Sequence, residues 1–296
     1  MQSKQPEATV LTSRSPGRGV RLLLLPGLAW LVLFFLIPLG LLVVYSFGSV
    51  NPLTFLVDFG WTTENYVRLA DPLYLKAIGR SLALTITATV GCALLGFPVA
   101  YMISNARRRI QTILLVAVIV PFWTSFVVRT YAISGLMSHE GLITRFLRLV
   151  GILGPQQDLL YTSWAVMFGL VYTYLPLMIL PIYVALERID KSYVEASLDL
   201  GLRPVKVLWR VVIPLAKPGI AAGAVLVGIP AAGEYVIPAI LGGDKTLMMG
   251  NVVADQFLKT ADYPFGSAVA VALMSLMVAV LFGARFRVLG LRRPPS

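Results

Sequence analysis

Cysteine and histidine each occur once in this chain, and acidic residues number only 14 among 296. A lone Cys92 leaves no disulfide framework and no cysteine metal cluster, and His139 cannot build a metal site by itself. So few candidate acids and bases also leave no catalytic constellation of the kind a membrane enzyme requires. No Gly-x-x-x-x-Gly-Lys-Ser/Thr loop occurs. The nearest run, Gly242-Gly243-Asp244-Lys245-Thr246, has the wrong spacing, so the chain does not bind ATP through that motif. Charged residues make up 13%, against about 25% in soluble domains. Hydrophobic residues reach 57% with a mean hydropathy of +0.81, the composition of an integral membrane protein.

What fills the chain instead is apolar sequence in six stretches, each long enough for the ~20 helical residues that cross a hydrocarbon core. They cover 22–47, 78–104, 110–136, 161–186, 220–241 and 267–289. The first exceeds the roughly 7–15 residues of a signal-peptide apolar region and lacks an Ala-x-Ala cleavage site, so it is expected to be a retained anchor. With the N-terminus inside, the inner segments carry 17 of the 25 basic residues and 5 of the 14 acidic ones. The net charge of +11 is thus a topology signal and not a nucleic-acid footprint. The expected organisation is an inner tail at 1–21, an all-α six-helix membrane domain at 22–289 and an inner tail at 290–296.

Two outer segments carry helical order of their own. Thr62-Thr63-Glu64 is placed to cap a short helix, beside Trp61, Tyr66 and Tyr74 at interfacial depth. Residues 141–150 set Leu142, Ile143, Phe146, Leu147 and Val150 at helical spacing, with Arg145 and Arg148 opposite, as in a surface-lying helix.

The one long inner connection, 187–219, has the most specific pattern. Ile189, Tyr193, Ala196, Leu200 and residues 202–205 supply an apolar side, and Glu195, Asp199, Arg203 and Lys206 a charged one. Gly201 fits the C-terminal cap of one short helix, and Pro204 the start of a second. An amphipathic helix resting on lipid headgroups would be cationic on its polar face, whereas this one carries Glu195 and Asp199 there.

The residues here resemble a family pattern: Glu-Ala-Ala, three residues, Gly, nine residues, Ile-x-Leu-Pro. It marks the membrane subunits of bacterial ABC importers of type I, with the MetI-like fold. The chain matches at Glu195, Ala196, Gly201 and Pro214 and departs at Ser197, Val211 and Ile213, each a change that keeps size or apolar character. The resemblance implies that this loop, with Asp199, Arg203 and Pro204, is a coupling helix docked on an ATP-hydrolysing partner. It also implies a pair of ATPase subunits carrying ATP-Mg, a second permease chain and an extracytoplasmic solute-binding protein. No cofactor is implied in this chain itself. The segments PFWTSFVVRTYA (121–132), GEYVIPAILGGDKTLMMGN (233–251) and DYPFGSA (262–268) are similar to spermidine/putrescine permeases. That branch implies a polyamine as solute, with an opine-like or other small solute as the alternative.

An ionisable group within a span costs roughly 2.5–3.5 kcal/mol at a helix centre, so it marks a candidate path. Glu234 is the foremost. Counted from Gly219 it stands about 22 Å across, in a helix interrupted by Gly228, Pro230 and Gly233. With Tyr235, Trp123, Tyr172 or Tyr174 it would suit a flexible dication through charge pairing and cation–π contact. The competing expectation is an ion pair with Arg129, which stands at a similar depth, about 28 Å along its own helix. Trp30, Trp164 and Trp209 read as interface or packing anchors. His139 beside Glu140 reads as a solvated loop end, and Gly91, Gly96, Ala93 and Ala100 as a close helix contact. A secondary transporter would carry an internal repeat with broken helices, and no such repeat is evident.

Overall fold

A computed structural model describes residues 18–289 apart from 52, 53 and 55. The basic residues placed at 4, 14, 292 and 293, and most of both expected tails, lie outside the described residues. The first span is α1 (Arg18–Leu31), a π-helical turn Val32–Leu36 and α2 (Ile37–Tyr45). A small hairpin, β1 (Ser49–Val50) with β2 (Val57–Asp58), and α3 (Glu64–Arg68) lead to α4 (Pro72–Asn105). Next come α5 (Arg108–Ile119), α6 (Phe126–Met137), α7 (Leu142–Leu149) and α8 (Ser163–Glu187). They are followed by α9 (Lys191–Asp199), α10 (Pro204–Val207), α11 (Ile213–Ala232), α12 (Met249–Leu258) and α13 (Tyr263–Leu289). Among the described residues five helices are long and apolar enough to cross a membrane, and the bent pair, counted as one span, makes a sixth.

Local chemistry sets the boundaries. Asp71 caps α4 by accepting the Leu73 N–H at 2.8 Å, with Pro72 at the first helical position, so α4 begins six residues before the apolar stretch expected at 78. Thr63 is the N-cap residue of α3, and the neighbouring Thr62 hydroxyl accepts the Glu64 N–H at 3.1 Å. Arg107, extended, turns the chain tightly from α4 into α5.

Two predicted spans differ in form. The stretch 110–136 is not one helix: the chain leaves α5 through a 3-10 turn, Val120–Trp123, and the segment Phe126–Leu149 departs from Arg108–Trp123 at 93°. Pro121 cannot donate its share of the helical ladder, and Thr124 adopts an extended conformation whose hydroxyl returns to the Pro121 carbonyl at 2.7 Å. The fifth span starts at Pro204, not 220. It runs 29 residues to Ala232 through a π-helical turn, Leu208–Val212, so the second short helix of the inner connection is the first turn of this span.

The core is the contact of α4, α8 and α11. Ala88, Cys92, Ala100, Leu170, Met178, Ile182, Ala216, Val227 and Ala231 are all fully buried. Glycines permit the approach. A Cβ at Gly96 would stand 3.1 Å from Met178, and one at Gly219 would collide with Ala185 and lie 2.6 Å from the Pro181 carbonyl oxygen. A second cluster joins Leu69 and Ala77 to α12 and α13 through Met249, Val252 and Phe265, with Arg68 stacked on Phe265 at 3.9 Å and paired to Asp262 at 2.7 Å. The first span packs on α13 and leaves Trp30, Phe34 and Phe35 exposed.

Gly219→Ala should push α11 off the α8 backbone and cost about 1–3 kcal/mol, read as a lower unfolding temperature in detergent. Gly228→Ala is the control. Its Cβ would meet only Thr89 Oγ1, at 3.7 Å, so the midpoint should hold or rise.

Candidate functional sites

The inner connection is a short helix–turn–helix. Asp190 caps α9 by accepting the Ser192 N–H at 2.9 Å, and that bond holds its carboxyl below the usual carboxylate range. Gly201 ends the helix with φ +81, and Pro204 opens the next. The Leu202 N–H closes the turn onto the Ser197 carbonyl at 3.2 Å, while the Ser197 hydroxyl donates to the Tyr193 carbonyl at 2.6 Å.

The apolar side of this unit is divided differently from the sequence expectation. Ile189, Val194 and Leu202 pack inward on the core. Tyr193, Leu200 and Val205 face out, and Leu200 is 84% exposed. Glu195, Ala196, Asp199, Arg203 and Pro204 are exposed beside them. Among the described residues no ion pair engages Glu195, Asp199, Arg203 or Lys206. The tip therefore offers uncovered apolar surface ringed by charged side chains that form no ion pair among the described residues.

The second site forms where α11 stops. Gly233 caps the helix and Glu234 follows in non-helical backbone, not in a helix interior. The Glu234 Oε1 atom accepts the backbone N–H groups of Tyr235 at 3.1 Å, Val236 at 2.9 Å and Ile237 at 3.4 Å. Its Oε2 atom accepts the Tyr174 hydroxyl at 2.5 Å, and the residue is only 8% exposed. The backbone then makes a π-helical turn, Pro238–Gly242, and a 3-10 turn, Gly243–Thr246, before α12.

A cavity of about 340 Å³ opens beside Glu234, walled by Phe122, Thr124, Phe126, Arg129, Thr173, Tyr174 and Leu177. Arg129 shares it without forming an ion pair to Glu234; its Nε is buried without a hydrogen-bond partner, and its guanidinium lies 5.5 Å from the Phe122 ring. The expected Arg129–Glu234 salt bridge is thus absent, because the carboxylate turns toward the three N–H groups and Tyr174. Of the aromatics proposed from sequence, Tyr174 alone converges here. Trp123 is 81% exposed at the bend, Tyr172 does not line this cavity, and Tyr235 lines a separate one with Gly233 and Gly250. Phe122 and Phe126 were missed. Their only signal was proximity to Pro121 and Arg129 across a break that sequence periodicity did not reveal.

Known proteins place this architecture. Residues 93–292 match the family described as binding-protein-dependent transport system inner membrane component. The chain is 38% identical over 258 residues to the spermidine/putrescine transport system permease protein PotB of Escherichia coli strain K12, covering 86% of this chain and 94% of that protein. It is 40% identical over 254 residues to PotB of Haemophilus influenzae, covering 86% and 88%. The inner membrane ABC transporter permease protein YdcU of Escherichia coli is 32% identical over 291 residues, covering 93% and 91%. Among solved structures, a bacterial ABC transporter that imports the polysaccharide alginate superposes with a TM-score of 0.71 at 14% identity, over 93% of this chain and 96% of that one. The inward-facing MetNI methionine ABC transporter superposes at 0.56 with 18% identity, over 76% and 100%. The exposed helix–turn–helix, the bent third span and these likenesses lead to one assignment: the chain belongs to the binding-protein-dependent transport system inner membrane components, the non-catalytic permease subunits of ABC importers.

Proposed function

We propose that this permease imports a small organic cation, a polyamine of the spermidine/putrescine class, and that the tip at 190–206 is where a partner ATPase grips it. The observation that carries the docking role is the tip itself, a capped helix and a glycine turn exposing Leu200, Tyr193 and Val205 where water alone would not favour them. The solute class rests on the PotB relatives, which are spermidine/putrescine transport system permease proteins. An opine-like solute is the second reading, favoured by Arg129, whose buried, unpaired Nε would suit an anionic group beside Glu234.

In this reading the N-terminus, the Arg107–Arg109 turn and the docking tip are cytosolic, as the bias of basic residues supports. Two ATPase subunits bind ATP-Mg, a second permease chain completes the path, and an extracytoplasmic binding protein delivers the solute. Closure of the ATPase pair displaces the tip, and α11, continuous with it, changes access to the cavity at Glu234. Glu234, Tyr174 and Arg129 form part of the wall of that path, with Trp123 at the bend beside it. Tyr172 and Tyr235 are left out of the solute contact.

Retention of a polyamine by the cognate binding protein on purification tests the solute class, and retention of an opine-like compound instead would select the second reading. Gly201→Val places a β-branched residue in the left-handed region at a local cost of about 1–2 kcal/mol. Since nothing stands within 4 Å of the position, the bundle should assemble normally. ATP hydrolysis should persist in the reconstituted importer while uptake falls, and normal coupling would refute the grip.

Glu234→Gln should weaken polyamine uptake roughly ten- to a hundredfold, the counterpart of losing a charge-assisted contact of about 1.5–3 kcal/mol. Tyr174→Phe keeps the charge but removes one donor, costing about 1–3 kcal/mol of stability with a smaller effect on uptake per folded transporter. Wild-type uptake by Glu234→Gln at normal abundance would remove Glu234 from the path.

A further inference from the structure

The bend in the third span leaves a void that neither the docking tip nor the Glu234 cavity uses. Because the segment Phe126–Leu149 departs at 93° instead of continuing along α5, a cavity of about 930 Å³ opens between α4, α8 and the α6–α7 corner. Its walls are apolar: Leu95 of α4, Phe168 and Val171 of α8, Leu147 of α7 and Ile152 beyond it. Leu95, Phe168, Ile152 and the neighbouring Trp164 are exposed at its lip. Both α4 and α8 are long and apolar enough to cross a membrane, so this opening lies at membrane depth, where an apolar void excludes water.

One end of the void is polar and carries charge of both signs. Asp158 stands at that rim with Gln157 and Thr162. Its Oδ1 atom meets His139 Nδ1 at 2.6 Å and the Arg148 guanidinium at 3.4 Å, while its Oδ2 atom has no partner among the described residues. Arg148 also donates to the carbonyls of His139 at 3.0 Å and Gln157 at 3.1 Å, which pins the carboxylate over the cavity end. Glu140 is paired to Arg145 close by in the chain. Two acids stand against two arginines, and His139 Nδ1 contacts both Asp158 and, at 3.0 Å, Arg148. A purely anionic headgroup would place a further negative charge beside Asp158, whereas a headgroup that carries an ammonium group sets its cation on the free carboxylate oxygen.

We propose that this cavity is a binding site for a phospholipid with an ammonium headgroup, its acyl chain lying along Leu95, Phe168 and Val171 and its amine on Asp158. The bound chain would supply the packing that a straight third helix would otherwise give to α4 and α8. The site differs from the solute path, and it stands whether or not the solute is a polyamine.

The test uses the assembled importer, reconstituted in vesicles containing phosphatidylethanolamine and phosphatidylglycerol, re-extracted in detergent, washed, and assayed for retained lipid by mass spectrometry. Wild type should retain phosphatidylethanolamine in stoichiometric amount. Leu95→Trp, which fills the lip from an exposed position, should lose that lipid; Phe168→Trp is the alternative filler should the first variant fail to assemble. Asp158→Asn should keep a lipid but lose the preference for the ethanolamine headgroup. Equal retention by wild type and the filled variants would overturn the site, as would a helix of the second permease subunit occupying the cavity in a structure of the complex. An unchanged headgroup preference in Asp158→Asn would overturn the role of that carboxylate.

Discussion

Within a bilayer, a backbone that leaves the helix must find its hydrogen bonds inside the protein, because no water is present to supply them. Residues 233–248 depart from regular α-helix through open backbone, a π turn and a 3-10 turn, and side chains and backbone of neighbouring elements supply partners. Glu234 takes three successive N–H groups, which substitutes for the carbonyls that a continued helix would have offered. The Tyr161 N–H meets the Leu241 carbonyl at 2.8 Å, the Asn251 amide donates to the Tyr235 carbonyl at 2.9 Å, and the Ser81 hydroxyl receives the Met249 N–H at 2.7 Å. The break thus fastens α4, α8 and α12 to one another. Gly250 completes it: a Cβ there would lie 2.5 Å from the Glu234 carbonyl oxygen.

The same constraint decides what the Glu234 carboxylate can do. An ionised group this deeply buried persists only when its lone pairs are engaged, and four donors already engage it. The structural role and the solute role are therefore compatible but unequal. Capping needs the Oε1 atom alone, and Oε2, with one bond to Tyr174, keeps acceptor capacity on the cavity side. Arg129 balances the charge of the cavity without consuming that capacity, since it does not reach the carboxylate as an ion pair. The arrangement is a neutral pocket with separated charges, more polar than its aromatic wall of Phe122 and Phe126 would give by itself.

Much of this was legible in the sequence, and the boundary of legibility has a physical cause. Asp71-Pro72, Gly201 and Pro204 act through local backbone chemistry, so their turns and caps stand where residue type alone puts them. The number of spans followed from length and hydropathy. The bend after Trp123 did not, because hydropathy over 110–136 stays high enough for one span and periodicity is silent about a break; Pro121 was its local mark. Hydropathy puts the start of the fifth span at 220, 16 residues after Pro204, because Arg203, Lys206, Arg210 and Lys217 look like a loop until the helix is seen to protrude from the bundle. For the same reason hydropathy places Glu234 in a helix interior, whereas moving the helix toward its N-terminus brings its end to Gly233. The helix α12 went unrecognised because small and polar residues within 249–258 lower the hydropathy below that of a span.

That shift of the fifth span also connects the two sites. From Pro204 to Ala232 the chain is continuously helical, about 43 Å of helix at 1.5 Å per residue, with the Gly201 turn at one end and the break before Glu234 at the other. A rod packed tightly on α8 through Gly219 and Gly223 cannot bend freely between them, since Met178 and the Pro181 carbonyl fill the space where side chains would otherwise give slack. The π-helical turn Leu208–Val212 is the point where compliance enters, because its looser hydrogen bonding lies just above the tip and before the tight contacts begin. In the proposed mechanism a pull on the tip therefore divides into a local change at 208–212 and a rigid-body movement of α11 with α8. The second component reaches Glu234 and Tyr174 together, because one hydrogen bond joins the end of α11 to the middle of α8. Access to the cavity would then change by rotation of this joined pair against α5 and α6, with the broken third span as the wall that stays behind.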